Sequence, residues 1–282
     1  MSDILNPFFA TIAKAAEDAA VQRGFALILC NSDEDPAKEH TYLEVLYQKR
    51  VSGIMLAPTG GNDALVQQFH TGGLPVVEVD RHCSGTIAVV LDNRAGALAA
   101  TAHLLDLGHR RIATVAVPQH LSTGRERLEG YQEAFTSRGL EVPKELVRVG
   151  DSREGGGYEA TRALLALRRP PTALFVANNE MTSGALRALK EAGARVPDDL
   201  ALVMFDDTSW ATLVDPPLTV VAQPIYHMGR RAAEQLFALI DGTLSRSTQV
   251  VERLTPTLIV RRSCGGARKG VVAREKQATT CH

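Results

Sequence analysis

Short, unbroken apolar runs alternate with amphipathic stretches along nearly the whole chain, and few architectures can use that pattern. The runs lie at 25–30, 53–57, 75–79, 86–91, 112–117, 146–149, 173–177 and 201–205. They are too short for core helices and lack polar alternation, so each reads as a strand buried on both faces. Helical periodicity fills the gaps: a helix capped by Asn6-Pro7 and closed by Gly24, one after Asp35-Pro36, then 63–70, 94–107, 125–138, 157–168, 180–192 and 228–240. Strand segments near 250–252 and 256–260 come last. Buried strands joined by helical crossovers give parallel sheets covered on both sides, hence an α/β protein built from doubly wound units. With 282 residues there is room for two modest cores.

Bulk chemistry narrows the function. Charged residues are 22% of the chain and the formal net charge is −1, so no basic face announces a free-standing nucleic-acid binder. Aromatic residues are only 5%, too few for a base-stacking platform. The four cysteines, Cys30, Cys83, Cys264 and Cys281, are widely spaced, which suits reduced thiols and a cytoplasmic setting better than a disulfide framework. No apolar run is long enough for a membrane span. MSDILNPFF lacks the basic and apolar regions of an export signal.

The residues just past each strand are chemically alike. Asn31-Ser32, Pro58-Thr59, Asp80-Arg81, Asp92-Asn93, Asn178-Asn179 and Asp206-Asp207 all fall at carboxyl ends, where open α/β sheets bind ligands. Carboxylates, amides and a guanidinium suit a polyhydroxylated ligand, because they accept from and donate to neighbouring hydroxyls. Phe8, Phe9 and Trp210 could cover the apolar face of a sugar ring. Any one such position is equally well explained as a helix cap or turn residue. Recurrence at six strand ends is not.

Six segments, in order, carry a resemblance: NPFFATIAKAAEDAA (6–20), the 92–109 stretch with Asp92-Asn93-Arg94-Ala95-Gly96 and Leu107-Gly108-His109, RERLEGYQEAF (125–135), PTALFVANNEMTSGALRALKEAGARVPDDLALVMFDD (171–207), PPLTVVAQPIYHMGRRAAEQL (216–236) and LIVRRS (258–263). Together they resemble the effector-sensing core of the LacI/GalR family of bacterial transcription regulators. The resemblance implies two doubly wound parallel-sheet lobes joined by a three-crossover hinge, the periplasmic-binding-protein-like type I fold. Its lobes would be 1–117 with 224–253 returning to it, and 118–223 with 254–263; residues 264–282 would be a disordered basic tail. It implies a small-molecule effector, a sugar or related metabolite, held by Phe8, Phe9, Arg127, Asn178, Asp206 and Gln223. Ser152 stands where members often place a stacking aromatic. Asp92 and Arg81 join this set from the strand-end reading. A homodimer is expected, with operator DNA contacted only through a headpiece that this chain lacks.

In the resembled core, residue 6 already lies in the turn after the first strand, so most of that strand is expected to be missing, with only Ser2 to Leu5 left. An upstream start or a truncation boundary is the favoured explanation, and a decayed gene the alternative. Competing chemistry is weaker. Gly155-Gly156-Gly157 fits no phosphate-loop spacing and reads as a helix-entry loop. There is no G-x-S-x-G or H-E-x-x-H, and His82-Cys83 and Cys281-His282 are poorly spaced for a metal. Neither an enzyme nor a cofactor is expected. The alternative function is a solute-binding protein of a sugar uptake system, which an upstream export signal would support and a helix-turn-helix would oppose.

Overall fold

The computed structural model describes residues 1–83, 85–245, 247 and 249–265. The first part of the chain forms α1 (Pro7–Val21), α2 (Pro36–Gln48), β1 (Ile54–Leu56), α3 (Asp63–Thr71), β2 (Val76–Asp80) and β3 (Ile87–Leu91). Next come α4 (Asn93–Asp106), β4 (Ile112–Ala116), α5 (Ser122–Thr136), β5 (Val147–Val149), α6 (Glu154–Leu165), β6 (Ala173–Val176), α7 (Asn179–Glu191), β7 (Ala201–Phe205) and β8 (Thr219–Ala222). The last are α8 (Ile225–Ile240), β9 (Val251–Leu254) and β10 (Thr257–Ile259).

Two sheets result. One is parallel, in the order β1-β2-β3-β9; the other runs β10-β8-β7-β6-β4-β5, parallel except for the β10–β8 pair. β2, β3, β4, β6 and β7 are buried along their whole length, as unbroken apolar runs under helical layers should be. The backbone passes between the sheets three times: from β3 to α4, from β8 to α8, and from β9 to β10.

Several expectations need correcting. Strand 112–117, assigned from sequence to the first lobe, pairs with β5 and β6 of the second sheet, so the first crossing lies near Asp92. The cause is α4, which packs on α5 through a glycine: a Cβ on Gly130 would lie 2.2 Å from the Arg94 carbonyl oxygen. Residues 25–30 form no strand, and Leu27, Ile28 and Leu29 are 43%, 62% and 46% exposed. No strand lies beside them to complete a ladder, and Met1 to Leu5 form none either. The three glycines at 155–157 lie inside α6 rather than in a loop before it, where Gly157 lets the α7 backbone approach: a Cβ there would sit 2.1 Å from the Met181 oxygen. β8, confined between Pro217 and Pro224, was not anticipated. Cys264 is buried against His103 and Thr219, so the chain is ordered at least that far; the rest of the expected tail lies outside the described residues. Among them, no helix is long and apolar enough to cross a membrane.

Candidate functional site

The carboxyl ends of both sheets face one cleft of about 50 Å³. Eight of the nine residues singled out from sequence line it: Phe8, Phe9, Arg81, Arg127, Ser152, Asn178, Asp206 and Gln223. The ninth, Asp92, does not. It is the N-cap of α4, its carboxylate accepting from the Ala95 N–H at 2.9 Å, the bland role open to any strand-end Asp. Trp210 is also absent from the cleft and packs against the core.

Phe8 and Phe9 enter because Asn6 caps α1, accepting from the Phe8 N–H at 3.0 Å, with Pro7 opening the first turn. The two rings meet edge to face with centroids 5.1 Å apart. Three lining residues, Asp80, Ser152 and Asp206, have φ of 68°, 68° and 77°, a left-handed backbone that non-glycine residues seldom adopt. Such local strain gathers where a side chain must be aimed, and here all three sit directly around the cleft.

Arg127 is buried in α5. Its Nε donates to Asn93 Oδ1 at 2.7 Å and its Nη1 to the Ala177 oxygen at 2.6 Å, while the guanidinium lies 3.7 Å over the Phe205 ring. Burial lowers its pKa, and the nearby charges of Asp206 and Asp80 oppose that shift. Arg81 is held differently: Glu34 grips both terminal nitrogens at 2.7 Å, and Nη1 also donates to the Pro58 oxygen. Its Nε comes within 3.3 Å of Asp80 without making a hydrogen bond. Burial pushes the Asp80 carboxyl up to about 6, against the pull of Arg81 and Arg127.

On the opposite side, Asp206 accepts from the Asn179 N–H at 3.1 Å and from Gln223 Nε2 at 2.5 Å. Asn178 caps α7 by accepting from the Met181 N–H and donates to the Ser152 oxygen, each at 2.9 Å. Much of its polarity is thus spent on framework. The Ser152 hydroxyl and Gln223 Oε1 are buried with no partner. Sequence reading missed Asp3, Glu34, Thr123 and Arg153, which also line the cleft. Glu34 could have been suspected from the SDEDP loop after residue 30; Asp3 and Arg153 carry no comparable signal.

Residues 101–264 match the family model described as a periplasmic binding protein-like domain. The ribose operon repressor of Escherichia coli (strain K12) is 34% identical over 263 residues, covering 92% of this chain and 78% of the repressor. The chain belongs to the LacI/GalR family. Among solved LacI-family structures, the transcriptional regulator CelR–cellobiose complex superposes with a TM-score of 0.86 at 34% identity, covering 93% of this chain and 82% of that one. A LacI family transcriptional regulator from Enterococcus faecium with bound ribose gives 0.81 at 30% identity, covering 93% and 96%. These three relatives are a repressor and two transcriptional regulators.

Proposed function

We propose that this chain is the sensor of a cytoplasmic sugar-responsive repressor, and that its effector is a free, uncharged sugar bound between the sheets. One observation carries the reading: polar groups from both sheets converge on one cleft with capacity to spare, namely the Ser152 hydroxyl and Gln223 Oε1. A buried polar group without a partner costs about 1–3 kcal/mol, and sugar hydroxyls can serve as donor to one group and acceptor from another. Phe8 and Phe9 supply the apolar wall.

Charge sets the choice between a sugar and its phosphate ester. Four carboxylates (Asp3, Glu34, Asp80, Asp206) line the cleft against three guanidiniums (Arg81, Arg127, Arg153). Arg81 is already committed to Glu34, and Arg127 is held by Asn93 and a backbone oxygen. An incoming phosphate would meet more repulsion than attraction. The relatives solved with ribose and with cellobiose support a neutral ligand.

Effector affinity that differs between lobe arrangements would couple to operator binding by roughly 1–3 kcal/mol. Operator contact would fall to a helix-turn-helix headpiece rather than to these residues, and the working unit would be a homodimer, checked by sedimentation. Titration calorimetry with ribose, glucose, cellobiose and ribose 5-phosphate tests the effector class. A neutral sugar should bind at least tenfold more tightly than the phosphate ester. Binding of the ester alone would reverse the assignment.

A further inference from the structure

Of the three guanidiniums lining the cleft, Arg81 has both terminal nitrogens gripped by one carboxylate. Glu34 accepts from Nη1 and from Nη2, each at 2.7 Å, in the parallel fork that an arginine also offers to a phosphate or to a ligand's carboxylate. Among the described residues, Glu34 is the sole acceptor for Nη2, while Nη1 also reaches the Pro58 oxygen at 3.2 Å. The guanidinium is thus a complete anion-binding group, and a side chain of the protein itself occupies it.

Three observations separate this pair from an ordinary structural ion pair. First, Arg81 has another counter-charge beside it: Asp80 Oδ2 lies 3.3 Å from Nε, and a carboxyl titrating at about 6 is still largely ionised at neutral pH. Second, Glu34 reaches its position through strained backbone. Asp33 and Glu34 have φ of 53° and 60°, two successive non-glycine residues in the left-handed region. Their neighbours impose that shape. Asp35 caps α2 by accepting from the Ala37 N–H at 2.8 Å, and Asp33 accepts from the Asn31 amide at 2.5 Å and pairs with Lys38. Third, the loop is tied to the opposite side of the cleft. Arg153, the N-cap of α6, donates to the Asp33 oxygen at 3.0 Å, so the bend that aims Glu34 is held from both sheets. The Glu34 side chain is 21% exposed and that of Arg81 7%, which puts the carboxylate on the solvent side of the guanidinium, where a ligand's anion would arrive.

We infer that Glu34 is a specificity-determining residue: it fills the anion position of Arg81 with the protein's own carboxylate and so bars sugar phosphates and sugar acids from the cleft. The inference rests on the neutral-sugar reading above and names the residue responsible for it. An anionic ligand must break two charge-assisted bonds and expel Glu34 before it forms equivalent bonds of its own, so the exchange brings no net gain. Removing Glu34 changes the lining from four carboxylates against three guanidiniums to three against three, and leaves the Arg81 fork open.

The test compares the parent with Glu34→Gln and Glu34→Ala. Each is titrated with ribose and with ribose 5-phosphate, and melted with inorganic phosphate against sodium chloride of equal ionic strength. In both variants the ratio of ester affinity to ribose affinity should rise at least tenfold over the parent's. Phosphate should raise their Tm by about 2–4 °C, by refilling the fork, and leave the parent's unchanged. Adding Arg81→Gln to Glu34→Gln should erase both effects. An unchanged ratio, an equal phosphate effect in the parent, a gain that survives Arg81→Gln, or variants that fold neither with nor without phosphate would each overturn the inference. Failure of the neutral-sugar reading looks different: the parent itself would prefer the ester, whatever the variants do.

Discussion

Asp206 holds the start of α7 and the Gln223 amide at the same time, so framework and recognition can be separated by choice of replacement. Asp206→Ala leaves the buried Asn179 N–H without an acceptor and should destabilise the protein by about 1–3 kcal/mol in urea titrations. Asp206→Asn keeps an acceptor oxygen there, so its Tm should stay near the parent's while sugar affinity measured by calorimetry falls at least tenfold. Asp80 gives a pH signature. Its carboxyl is raised to about 6 from an ordinary 3.8, so between those values the folded protein holds a proton that the unfolded chain has released. Stability from this group is full below about pH 4 and is lost as pH rises through 6, by up to about 3 kcal/mol. Glu126, lowered to about 2, pulls the other way below pH 4.5, so the comparison must be between parent and Asp80→Asn. The parent should lose ground to the variant between pH 4 and 7; parallel curves would refute the assignment. Most of this site was legible because strand ends in such folds converge by geometry. Asp92 misled because a helix cap and a ligand contact demand the same side chain, and Glu34 escaped because a left-handed loop, rather than a strand, delivers it.

Helix contacts set the positions of these strand ends, and two depend on missing side chains. Gly130 brings α5 against α4, and Gly184 brings α7 against α6, where a Cβ would come 1.9 Å from the Glu154 oxygen. The obstacles are backbone atoms, which cannot swing aside. Gly130→Ala should therefore cost about 1–3 kcal/mol by denaturant unfolding despite the higher helix propensity of alanine. Element by element, the long helices and fully buried strands were readable because period and burial agree. β8 was not, because a four-residue strand set between prolines offers too short a window for any period. The 25–30 run illustrates the opposite failure: its composition is that of a central strand, but composition cannot supply the neighbour that makes a strand. The crossing near Asp92 was misplaced for a related reason, since nothing in β4 itself tells which sheet it will join.

At the scale of the molecule, the two sheets are held together across the cleft by identifiable bonds. Asn6 and Asn179 exchange amide hydrogen bonds at 3.2 and 3.0 Å, Arg153 reaches the Asp33 oxygen at 3.0 Å, and Arg253 pairs with Glu126 at 2.9 Å. A cleft of about 50 Å³ is far below the several hundred Å³ of usual ligand pockets, so a sugar can enter only if the sheets separate. Asn6→Asp keeps the cap on α1 but removes one of the exchanged bonds. It should speed sugar dissociation about tenfold in stopped-flow experiments, as the loss of one buried hydrogen bond worth about 1.4 kcal/mol implies. An unchanged rate would mean that the pair does not restrain opening. The three backbone passages limit what kind of opening is available. Three short tethers, at Asp92, residues 223–224 and residues 255–256, resist sliding and twisting of the sheets more than bending. The motion then has a single angular coordinate, and one pair of fluorophores placed across the mouth would report the state of the entire protein.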